Sequence, residues 1–285
     1  MPGPVAPALL VTLVAIAGCG GGPAARRAST LDRIIDTRVL RVGLNPGYAP
    51  FEMLDPSGAM IGFDIDMARH VARLVGDDVK VEFVKSDWDP IIANLNAGKF
   101  DVIMSGMTRT PQRALRCAFT DPYFTTGQTL LVNRRMHPPG SIPDVSVLDR
   151  PGVVISTRLG TTGEIVARKL FHRATIRTMD SEADAALEVE AGRADVMVFD
   201  QPYVAIRAKQ SAGRTWARLE PFTHEELAMA VRRDDLELRD WLNLAIQDLR
   251  ASGAWDSLYT KWFVTMPWLP AGADSAAAAS SATTP

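Results

Sequence analysis

The chain has 285 residues, 47% of them apolar and 22% charged, with a net charge of −2. That length and balance suit one large globular domain or two ordinary lobes with a solvated surface. Lys and Arg form no stripe, so the charge pattern argues against a nucleic-acid partner.

The two ends read differently from the body. Residues 8–17 form the one long apolar run, too short for a bilayer core of about 30 Å. It leads into Ile16-Ala17-Gly18-Cys19, which resembles the lipobox of bacterial lipoproteins. The resemblance implies that residues 1–18 are a signal peptide and that Cys19 carries acyl chains, two of which give stable anchoring. One departure is that no Lys or Arg precedes the run, where signal peptides usually carry one. Of the two cysteines, a lipidated Cys19 leaves Cys117 without a disulfide partner, and Cys117 reads as a small buried hydrophobe. Residues 19–37 are taken as the lipidated cysteine and a flexible tether. Residues 267–285, rich in Pro, Gly, Ala, Ser and Thr, read as a disordered tail.

Between the ends, short apolar strands alternate with amphipathic helices. Residues 39–43 predict a strand and 66–75 a helix closed by Gly76. Residues 79–84 alternate as a strand does, 90–96 predict a helix closed by Gly98, and 100–104 form an apolar strand around Asp101. This rhythm predicts an α/β fold with mostly parallel sheets covered on both faces. An internal echo sharpens it: Ala97-Gly-Lys-Phe-Asp-Val-Ile-Met104 and Ala191-Gly-Arg-Ala-Asp-Val-Met-Val198 match nearly position for position, each a helix end followed by a strand. The register sets Ser105 and Gly106 against Phe199 and Asp200. Ligands of open α/β sheets bind outside the carboxyl ends of strands, so the echo marks two sides of one cleft.

Enzymatic signatures are missing. The four histidines have no metal-ligand spacing, and there is no nucleophile elbow, phosphate loop or dinucleotide fingerprint. No cofactor or metal is expected. The segment Ser105-Gly-Met-Thr-Arg-Thr-Pro-Gln-Arg113 carries more. Thr110-Pro111 starts a helix, Ser105 and Thr108 offer hydroxyls, and Gly106 permits close approach. Arg113 in the first turn suits a carboxylate, unless it merely pairs with a surface acid. In the second half Thr161 and Glu164 have capping-box spacing, and Thr161 and Thr162 either cap a helix or also face an anion. Asp200, at the end of the echo strand, needs a cationic partner if buried. Arg113 and Asp200 together complement a zwitterion. Tyr48, Phe51 and Trp88 either pack in the core or enclose the stem of a ligand.

These residues resemble the amino-acid-binding proteins of bacterial ABC importers, extracellular solute-binding family 3. The resemblance runs from about Arg38 to Phe263. It is carried by Leu40-Arg-Val-Gly43, Tyr48-Ala-Pro-Phe51, Gly62-Phe-Asp-Ile-Asp66, Trp88-Asp-Pro-Ile-Ile92, Phe100-Asp-Val-Ile-Met-Ser-Gly-Met107, Thr110-Pro-Gln-Arg113, Phe119-Thr-Asp-Pro-Tyr123 and Lys261-Trp-Phe263. It implies a type II periplasmic-binding-protein clamshell: residues 38–130 with 227–266 as one lobe and 131–226 as the other. Two crossover strands would join them, near residues 128–133 and 226–232. It further implies a monomer in the cell envelope, on the periplasmic or extracytoplasmic face, that binds an amino acid and docks on an ABC permease. Arg113 becomes the α-carboxylate clamp, assisted by Thr108, Thr161 and Thr162. Asp200 becomes the α-ammonium acceptor, with Ser105 and Gly106 beside it, and Tyr48 and Trp88 enclose the stem. Asn45 falls where basic-ligand and glutamine binders often carry an acid, which argues against lysine or arginine as ligand. Two other readings share the fold. Cyclohexadienyl dehydratases use a glutamate three positions after the aspartate matching Asp200, but here that position is Tyr203, so no enzymatic activity is expected. A sensor subunit signalling to a receptor is the other.

Overall fold

The computed structural model describes residues 29–269 together with Met1 and Gly3. The expected signal peptide, Cys19 and the tail from residue 270 onward lie outside the described residues. Among those described, no helix is long and apolar enough to cross a membrane.

The first element corrects the tether. Helix α1 (Thr30–Thr37) has a reciprocal cap, in which the Ser29 hydroxyl accepts the Asp32 N–H and the Asp32 carboxylate accepts the Ser29 N–H. Its Ile34 is fully buried, so this turn docks on the fold and does not swing free of it. There follow β1 (Val39–Leu44), a small hairpin of β2 (Met53–Leu54) and β3 (Met60–Ile61), α2 (Phe63–Val75), β4 (Lys80–Lys85), α3 (Ile91–Asn96), β5 (Val102–Ile103), α4 (Pro111–Ala114) and β6 (Ala118–Thr126). The second lobe comprises β7 (Gln128–Asn133), β8 (Val154–Arg158), α5 (Thr162–Leu170), β9 (Thr175–Met179), α6 (Glu182–Glu190), β10 (Val196–Asp200), α7 (Gln201–Gln210) and β11 (Thr215–Arg218). The chain returns through β12 (Glu225–Val231), α8 (Leu236–Ala251), α9 (Ala254–Tyr259) and a π-helical turn over Thr260–Thr265.

The first sheet runs β4-β1-β5-β12-β6 and the second β9-β8-β10-β7-β11. Set side by side, they have one plan. A parallel trio, β4-β1-β5 or β9-β8-β10, is extended by two strands, β12 and β6 or β7 and β11, joined by antiparallel pairing. Each sheet is therefore mixed, and its parallel half carries the helical connections. The expected crossings, near residues 128–133 and 226–232, fall on β7 and on β12, which are strands within these sheets. The passages lie just ahead of them, at Gly127 and through residues 219–224, where the Gln128 N–H donates to the Thr223 hydroxyl at 2.8 Å.

The echo is structural. Gly98 and Gly192 close α3 and α6 with φ of +74° and +73°, a left-handed turn that glycine adopts without a Cβ clash. Three residues on, Asp101 accepts the Arg41 N–H at 2.9 Å and Asp195 accepts the Val154 N–H at 2.8 Å. Each aspartate thus ties its own strand to the neighbouring parallel one. At the far end an aromatic cluster of Phe51, Phe63, Phe124, Trp255 and Phe263 fastens the last helices to the first lobe. Trp268, assigned to the tail, stands 6.1 Å from Trp262 ring to ring and packs against the core, so the tail reading fails for residues 267–269. Cys117 is buried and free, its thiol pushed up to about 11 by burial.

Candidate ligand-binding site between the lobes

All ten residues singled out as ligand contacts line one cavity: Asn45, Tyr48, Trp88, Ser105, Gly106, Thr108, Arg113, Thr161, Thr162 and Asp200. The strand ends explain the convergence. β1 delivers Asn45 and Tyr48, β5 delivers Ser105 and Gly106, β8 leads to Thr161 and Thr162, and β10 ends at Asp200, the placement expected of parallel α/β sheets. Arg113 enters from the first turn of α4, where Thr110 accepts the Arg113 N–H at 3.2 Å.

Arg113 is half-buried and held by neutral groups. Its guanidinium donates to the Thr108 carbonyl at 2.8 Å and, across the lobes, to the Gly160 carbonyl at 3.3 Å. It lies 5.1 Å over the Trp88 ring. Burial pulls its pKa down from the ordinary arginine value. Asp200 is buried, accepting the Tyr48 O–H at 2.6 Å and a Gln128 amide N–H at 2.6 Å. Burial, and then the like charge of Glu225, push its carboxyl up to about 7. Among the described residues neither Arg113 nor Asp200 has an ion-pair partner. A cation and an anion, one from each lobe, therefore face one cavity without counter-ions.

The hydroxyls of the site bond within the protein. Thr108 and Thr162 both donate to Glu225, each at 2.7 Å, and Thr161 donates to the Arg158 carbonyl at 2.7 Å. Their hydroxyl protons are thus directed to protein acceptors. What remains there are the first N–H groups of α5, at Thr162 and Gly163, which have no partner within the helix. Ser105 donates to Glu52 at 2.6 Å and accepts the Asn45 N–H at 3.0 Å. Gly106 lies against Tyr48 so closely that a Cβ would stand 2.3 Å from the ring. Trp88 bridges the lobes through its indole N–H, 3.0 Å from the Gly160 carbonyl.

Sequence reading missed Glu52 and Arg158 in the lining, where Phe199, set at the cleft by the echo, also stands, and Gln128, Glu182 and Glu225 behind it. Arg158 pairs with Glu182 at 2.5 Å and donates to the Asn45 side-chain carbonyl at 2.7 Å. The strand-end rule already used for Asp200 would have found Arg158. Glu52 immediately follows the recognised Tyr48-Ala-Pro-Phe51. Gln128 and Glu225 stand where the chain enters each sheet, positions with no local signal.

Two lobes of one topology, with a charged cavity at their facing strand ends, define a bilobal solute-binding protein. The chain belongs to the bacterial extracellular solute-binding proteins, family 3, whose model matches residues 40–265. Among named relatives, a probable histidine-binding protein of Neisseria gonorrhoeae is 32% identical, over 91% of this chain and 94% of that one. An ABC transporter glutamine-binding protein of Bacillus subtilis (strain 168) is 27% identical, over 90% and 95%. Among solved structures, an ancestral amino acid-binding protein, a precursor of cyclohexadienyl dehydratase, superposes with a TM-score of 0.76. It is 43% identical over 82% of this chain and all of that one.

Proposed function

We propose that this chain is the substrate-binding component of an ABC importer and captures a polar amino acid by its backbone charges. The observation that carries this is the pairing of Arg113 and Asp200, each lining the same cavity and neither in an ion pair among the described residues. In this reading Arg113 grips the α-carboxylate, aided by the N-terminus of α5, and Asp200 accepts the α-ammonium beside the Gly106 carbonyl. Tyr48 and Trp88 enclose the stem, with Asn45, Ser105, Thr108, Thr161 and Thr162 completing the walls. A ligand joined to both lobes stabilises the closed form relative to the open one, and that difference is what shifts the population. The closed monomer then docks on a membrane permease. The lobes meet at the passages through Gly127 and residues 219–224, and the chain is held at the envelope by acyl groups on Cys19 after removal of residues 1–18. A thermal-shift screen against the twenty amino acids and close analogues tests the ligand class. Binding at a hundred times Kd raises stability by about 2.7 kcal/mol, and a screen with no shift for any amino acid overturns the reading.

The likeness to a dehydratase precursor favours one second reading, a cyclohexadienyl dehydratase. Tyr203, where those enzymes carry glutamate, is buried against Phe199, 5.1 Å between ring centroids, and supplies no carboxyl acid for a leaving hydroxyl. Formation of an aromatic product from prephenate or arogenate would establish that activity.

A further inference from the structure

Glu52 lines the cavity without a role in holding the α-groups. It is 1% exposed. One carboxylate oxygen accepts the Ser105 O–H at 2.6 Å, and the other, Oε2, is buried with no hydrogen-bond partner among the described residues. Behind it the buried Asp64 accepts the Gly106 N–H and the Tyr123 O–H, each at 2.8 Å, through one oxygen, and its other oxygen has no partner. In and directly behind the cavity wall stand five carboxylates, Glu52, Asp64, Glu182, Asp200 and Glu225, against two guanidiniums, Arg113 and Arg158. The Arg158 charge is already matched by Glu182.

A zwitterion adds as much negative as positive charge and leaves this excess unchanged. Buried uncompensated carboxylates are costly, and either protons or a cation must relieve them. Protons do so in the unliganded protein. Burial first, and then the nearby Asp64, hold the Glu52 carboxyl well above the usual range, and burial pushes Asp64 up to about 7. We propose that Glu52 receives the positively charged end of the ligand's side chain, and hence that the captured molecule is a basic amino acid. This deepens the function proposed above and rests on it. Asn45 donates its amide N–H to the Ser86 carbonyl at 2.8 Å and accepts from Arg158 at 2.7 Å, so its side chain is committed; Glu52 supplies the charge instead. An anionic side chain would meet the same carboxylate and be rejected.

Calorimetry on the full chain with lysine, arginine, histidine, glutamine and glutamate tests this. At least one basic amino acid should bind roughly 100-fold tighter than glutamine, and Glu52→Gln should lower that ratio by about tenfold or more. Binding of the basic ligand at pH 7, compared across buffers of differing ionisation enthalpy, should release more protons than glutamine binding does. Glutamine or glutamate binding as tightly as every basic ligand overturns the proposal, as does an equal loss for all ligands in Glu52→Gln. If that variant does not fold, the wild-type ranking and proton count decide. Binding of no amino acid at all defeats the proposed function itself, whereas a preference for neutral ligands defeats only the role of Glu52.

Discussion

Arg113 rests on carbonyl oxygens, not on a carboxylate, so its charge is left for something that enters the cavity. Truncating one partner of a buried charge pair leaves the other unpaired, and Arg113→Ala is expected to cost about 3–5 kcal/mol of ligand affinity. Calorimetry showing near-normal binding in that variant would move the carboxylate elsewhere. Asp200 sets the pH dependence. Its ordinary carboxyl pKa is about 3.9, and its folded value is about 7. Between those values the folded, unliganded protein holds a proton that the unfolded chain has released. The stability contribution is thus fully present below the lower value and is lost as pH rises through the higher one. Asp64, also raised to about 7, acts in the same direction. Thermal denaturation should show the unliganded protein melting lower at pH 8 than at pH 5.5. Ligand affinity should run the opposite way, since an ammonium requires the ionised carboxylate. It should weaken as pH falls below about 7, by up to roughly tenfold per unit. Both residues were legible from chain order, because strand ends and helix starts place them. The bonds of the Thr108 and Thr162 hydroxyls to Glu225 were not legible, because that acceptor lies 117 and 63 residues away along the chain.

The repeated helix-to-strand unit shows what an element needs from sequence. Gly98 and Gly192 occupy matching left-handed turns, and a Cβ on Gly98 would meet nothing within 4 Å. Replacing either with alanine is therefore expected to cost about 1–2 kcal/mol through backbone strain alone. Similar falls in denaturation midpoint for Gly98→Ala and Gly192→Ala would demonstrate the equivalence of the two units. Strands and helices with strong periodicity were read close to their bounds. β5 was overestimated, since only Val102 and Ile103 pair with β1. Helix α1 was taken into the tether because it is two turns long and buries one residue.

For the whole molecule, closure is built from contacts that exist only when the lobes meet. Tyr48 reaches Asp200, Trp88 and Arg113 reach the Gly160 carbonyl, and Arg158 reaches Asn45. Through Glu225 the hinge joins Thr108 of one lobe to Thr162 of the other. A ligand that adds one charge pair in each lobe favours this closed arrangement, and small-angle scattering should show the radius of gyration falling when ligand is added. An unchanged radius at saturation would mean that the lobes do not move on binding.

The alternation of strands and helices, the echo around Asp101 and Asp195, and the charge-bearing strand ends were all determined by sequence, because periodicity and capping act over a few residues. Which groups stand opposite one another was not. The pairing of Arg158 with Glu182, the shared acceptor Glu225, and the unpartnered oxygen of Glu52 arise from burial among residues distant in the chain. Only the packed lobes decide which of those charges the protein neutralises itself and which it leaves for a ligand.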